Sequence, residues 1–72
     1  MTESKHDAFV RLAERRTRVV LDKIRILSNC ANPYAYEYAE DEVDKIFEAI
    51  EDELGRAKAR FEKYRRREFR LS

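Results

Sequence analysis

Apolar residues in this chain fall on two long, regular stripes. The first runs through Val10, Ala13, Thr17, Val20, Ile24 and Leu27, in steps of 3, 4, 3, 4 and 3. The second runs through Val43, Phe47, Ile50, Leu54, Ala57, Phe61 and Tyr64, in steps of 4, 3, 4, 3, 4 and 3. Such spacing keeps one helix face apolar and matches the a/d seam of a coiled coil. It predicts a first helix over about residues 5–28 and a second over about 40–69. Thr17 is the weak member of the first seam, because its hydroxyl can bond back to an earlier carbonyl. Ser4, with Asp7 three residues on, reads as an acidic variant of the capping box. Near Ser28 and Asn29 the first helix should stop, with Asn29 as a left-handed cap and Pro33 just beyond. Glu40, Asp41 and Glu42 suit the first turn of the second helix, where the helix dipole favours negative charge. Ala39 is a poor N-cap for that start, and Gly55 costs the helix about 1 kcal/mol relative to Ala.

Between the helices lies NCANPYAYEYA, residues 29–39. Asn32-Pro33 signals a turn, since the residue before Pro avoids helix. Tyr34, Tyr36 and Tyr38 alternate, so an extended segment would place them on one side, where they are expected to close the end of a core. Two matched seams joined by a short connection predict an all-α fold: an antiparallel two-helix hairpin forming one domain over residues 1–72. The seams set a register with Leu27 opposite Val43, Ile24 opposite Phe47, Val20 opposite Ile50 and Thr17 opposite Leu54. Ala13 then faces Ala57, and Val10 faces Phe61. The Ala13–Ala57 layer is thin and Gly55 is near it, so either close backbone approach or a gap filled by a partner is expected there.

Length changes this picture. A 72-residue chain buries little, and the hydrophobic gain of such a scaffold roughly cancels its ordering entropy. Cys30 is the single cysteine and His6 the single histidine, so neither a disulfide nor a Cys/His metal site can add stability. A further apolar line, Leu12, Val19 and Ile26 with Phe9 nearby, lies outside the first seam and exceeds what one hairpin covers. A four-helix bundle, completed by dimerisation or by docking on a larger protein, is the expected remedy. Phe9, Leu12, Val19 and Ile26 are the candidate partner interface.

Charge is strongly segregated behind a net charge of +1. Residues 1–28 carry seven Lys/Arg against four Asp/Glu; residues 37–53 carry nine acids against Lys45 alone; residues 56–70 carry eight bases against Glu62 and Glu68. Glu40, Asp41, Asp44 and Glu48 form a candidate acidic surface. In the hairpin register Lys23 and Arg25 fall near Glu48 and Asp44, and Arg18 near Asp52 and Glu53. Exposed pairs of this kind stabilise by only about 0–1 kcal/mol, so they select orientation. Arg11, Arg15, Arg18 and Arg25 follow one face of the first helix. With Lys63, Arg65, Arg66, Arg67 and Arg70 of the aromatic-containing tail, they are the candidate contacts to nucleic-acid phosphate.

No enzyme constellation appears: no Gly-rich phosphate loop, no nucleophile with a histidine base and no metal spacing. The expectation is a non-catalytic protein without a cofactor or small-molecule substrate. Neither a signal-peptide stretch nor a run of about 20 apolar residues is present, and the reading is of a cytoplasmic protein without membrane contact.

The stretches RLAERRTRVVLDKIRIL and YEYAEDEVDKIFEAIEDEL resemble a family of short bacterial helical-hairpin proteins, with the YEY-acidic-VxxIF segment as the most specific part. The resemblance spans roughly residues 11–61, implies a bacterial or mobile-element origin and carries no activity with it. By architecture alone the chain also resembles the plasmid RNA-binding repressor-of-primer hairpins, which dimerise into four-helix bundles; no residue-level match brings site residues across. Two functions follow as expectations. One is a protein–protein interaction module, such as a small regulator or inhibitor acting on a larger nucleoprotein complex. The other is an RNA- or DNA-binding dimer using the helix 1 arginines and the basic tail.

Overall fold

The computed structural model describes residues 2–68, with side chains through Arg65. The chain is all-α, with helix α1 over Lys5–Ser28, a short 3₁₀ turn over Asn29–Ala31 and helix α2 over Glu40–Glu68. No strand occurs among the described residues. Two long helices and a short connection fit the expected two-helix hairpin. The chain divides into two units, Met1–Glu37 around α1 and Tyr38–Ser72 around α2.

α1 begins where its polar cap allows. Ser4 is extended, with φ −70° and ψ 162°, and its side chain accepts the Asp7 N–H at 3.0 Å. The Ser4 carbonyl accepts the Ala8 N–H at 2.9 Å, starting the α-helical ladder. One otherwise orphaned donor of the first turn is thereby satisfied. At the far end the Ser28 hydroxyl donates to the Arg25 carbonyl at 2.6 Å. Asn29 does not form the left-handed cap expected of it. It is right-handed, with φ −66° and ψ −20°, and no described non-glycine residue has positive φ. The backbone instead tightens into the 3₁₀ turn, which satisfies terminal carbonyls without the steric cost of a left-handed residue.

Asn32 then turns the chain. It is extended, with ψ 107°, as a residue before Pro must be. Its side-chain Oδ1 accepts the Tyr34 N–H at 3.0 Å, and its carbonyl accepts the N–H groups of Ala35 and Tyr36 at 3.2 and 3.0 Å. This is an Asx turn built over Pro33. It breaks the extended segment on which tyrosine alternation depends, and Tyr34 is 98% exposed. The expectation that Tyr34 closes a core is therefore corrected.

α2 starts at Glu40 despite Ala39. The Glu42 carboxylate reaches back and accepts the Ala39 N–H at 2.8 Å, while the Ala39 carbonyl accepts the N–H groups of Glu42 and Val43 at 3.1 and 3.3 Å. This is the acidic half of a capping box without its hydroxyl half. The helix continues unbroken through Gly55, where an added Cβ would meet nothing within 4 Å.

Candidate interaction surfaces

Among the described residues none is buried. Half-buried side chains occur at Leu12, Ala13 and Leu27 in α1, and at Val43 and Ile50 in α2. Both seams otherwise stand open, at Val10, Val20, Ile24, Phe47, Leu54, Phe61 and Tyr64. In the second line of α1, Val19 is 52% exposed and Ile26 57%, while Leu12 is half-buried; Phe9, three residues before Leu12, is exposed.

Local geometry sets the surroundings of the Leu12–Val19–Ile26 line. Arg15 and Arg16 lie three and four residues from both Leu12 and Val19, so they share that stretch of helix surface. Neither forms an ion pair among the described residues. The line is thus apolar with two uncompensated guanidinium groups along it.

The other arginines of the helix 1 stripe take acids from their own unit. Arg11 binds Glu3 in a two-pronged pair, Nε–Oε1 at 2.8 Å and Nη2–Oε2 at 3.0 Å. The Glu3 carboxylate raises the Arg11 pKa above its ordinary value, with slight burial acting in the opposite direction. Arg25 binds Asp22 at 2.8 Å, and Arg18 approaches Glu14 at 3.9 Å. In α2, Arg56 binds Glu53 at 2.9 Å and Arg65 binds Glu62 at 3.2 Å. Apart from Arg11–Glu3, spacings of three and four residues bring these groups together on one helix face, a signal present in the sequence. Of the nucleic-acid candidates, Arg15 therefore stands uncompensated, and Arg11, Arg18, Arg25 and Arg65 are engaged. Lys63 is exposed. The side chains of Arg66 and Arg67, and Arg70 altogether, lie outside the described residues.

Glu40, Asp41, Asp44 and Glu48 are all exposed on the first half of α2. Together with Glu42 at the cap they make this half strongly acidic, with Lys45 as its single base. No three His, Cys, Asp or Glu side chains gather among the described residues in a way that would hold a metal ion. Cys30 is a free, exposed thiol in the 3₁₀ turn. A shallow, open depression on α1 is bordered by His6, Val10, Arg11, Glu14 and Arg18; it belongs to one helix face and encloses nothing. No helix among the described residues is long and apolar enough to cross a membrane.

No protein-family model, curated protein or solved structure matches the chain.

Proposed function

We propose that the protein is a non-catalytic interaction module that works by covering its open apolar faces on another protein surface. The observation that carries this reading is the exposure of Phe9, Val19 and Ile26 on a helix whose opposite seam is also open. Burial of apolar side chains stabilises by about 25 cal/mol per Å², so a chain that leaves both rows in water gains by placing them against a partner. Arg15 and Arg16 define that partner further: an apolar groove with an acidic rim suits the line, since charges at a rim select orientation and speed encounter. A small regulator or inhibitor of a larger complex in the bacterial cytoplasm is the concrete form of the reading, in line with the resemblance of residues 11–61 to short bacterial hairpin proteins.

Replacing Val19 and Ile26 with Ser tests the surface. The double variant is expected to drop to a smaller solution mass or to lose its co-purifying protein, with helicity kept. A variant with the wild-type mass and the same partners would contradict it. Salt separates this reading from phosphate binding. Apolar docking persists at high salt, whereas contacts to nucleic acid weaken steeply as counterions compete.

A further inference from the structure

We infer that two copies of this chain pair antiparallel through α2, in a register centred on the boundary between its acidic and basic halves. α2 is one unbroken helix over Glu40–Glu68, and its seam is exposed at Phe47, Leu54, Phe61 and Tyr64. An occupant for that seam is indicated by charge. The flanking positions change sign midway along the helix. Asp44 and Glu51 are followed at the same seven-residue spacing by Lys58 and Arg65, and Glu53 is followed by Arg60.

A second copy running the opposite way answers this pattern at each of these positions. Phe47 then packs against Tyr64 of the second copy, Ile50 against Phe61 and Leu54 against Ala57, each layer occurring twice by the twofold symmetry. In the same register Asp44 flanks Arg65 of the second copy, Glu51 flanks Lys58 and Glu53 flanks Arg60. Flanking charges of this kind set orientation and register in coiled coils. Sliding the copies to the neighbouring seam register brings Glu51 against Glu51 and Glu53 against Glu53. Parallel pairing sets acidic half beside acidic half. Of the pairings of α2 with a second copy, the antiparallel one in this register leaves no like charges opposed at these positions. Gly55 falls outside the seam, and its open surroundings suit an outward position.

This pairing goes beyond the docking of α1 and uses a different helix, so each can fail alone. The test uses the full chain in two charge-reversed forms, Glu51→Lys with Glu53→Lys, and Lys58→Glu with Arg60→Glu. The wild type is expected to sediment as a dimer. Each variant alone should dissociate at concentrations at least about tenfold higher than the wild type, a loss of about 1.4 kcal/mol, with helicity unchanged. An equimolar mixture should regain the dimer mass, because reversed acids meet reversed bases. A wild-type monomer at all concentrations, variants that keep the wild-type dimer, or a mixture that stays dissociated would each overturn the pairing. Orientation is read separately by oxidation, in a Cys30→Ser background, of Asp44→Cys chains mixed with Arg65→Cys chains. Crosslinks between the two kinds of chain are expected. Crosslinking of Asp44→Cys chains to one another would show parallel pairing and overturn the register.

Discussion

Ser4 and Glu42 each hold one end of a helix with a single side-chain hydrogen bond. Ser4 is the stronger test, because its side chain is the acceptor for the Asp7 N–H. Ser4→Ala is expected to destabilise α1 by about 1 kcal/mol, seen as faster amide exchange at Asp7 and in the first turn. At α2 the carboxylate half of a capping box is present and the hydroxyl half is missing. Ala39→Ser supplies it and should stabilise α2 by about 0.5–1 kcal/mol, measured as a higher thermal midpoint of the helical signal. The sequence marks Ala39 as a poor cap, and the structure compensates with the reach of Glu42 back to the Ala39 N–H. Asn29 differs from its expected left-handed cap for a related reason. Its composition permits a left-handed cap, but a 3₁₀ turn satisfies the same carbonyls, and sequence does not choose between them. The tyrosine alternation was legible only as a conditional, and the Asn32 side chain removed the condition by folding the segment into a turn.

At the scale of the elements, the helices were the readable part. Two seams of alternating three- and four-residue steps leave no room for a strand, whose side chains alternate in twos, and the described chain is helical on both stretches. Local ion pairs such as Arg25–Asp22 and Arg56–Glu53 were equally available in the spacing, yet were passed over for more distant partners. Each such exposed pair adds only a few tenths of a kcal/mol. What they change is availability: among the described residues Arg15, Arg16 and Lys23 along the α1 line form no ion pair. Gly55 is the weakest point of α2. Nothing crowds it, so Gly55→Ala is expected to stabilise the helix by up to about 1 kcal/mol. A higher helical content and thermal midpoint would bear this out; a loss of dimer mass in the same variant would place Gly55 inside a contact.

For the whole molecule the decisive property is that no described side chain is buried. Large apolar side chains from Phe9 to Tyr64 are exposed or half-buried, and in proteins most helical stability comes from packing of an amphipathic face rather than from propensity. In the antiparallel pairing proposed above, folding and assembly are one equilibrium, and stability rises with protein concentration. Thermal midpoints should climb on concentrating the protein, whereas a self-sufficient domain would melt at one temperature throughout. Length and the second apolar line of α1 are the features of the sequence on which the proposed partner surface rests. Its chemistry was legible only in part, since the sequence does not say which arginines are already engaged.

The most direct test of the account is the solution mass of the full chain, measured by light scattering at low and high salt with nucleic acid followed by absorbance. The account predicts a nucleic-acid-free assembly of at least two copies at both salts. A monomer that carries nucleic acid at low salt and sheds it at high salt would contradict it.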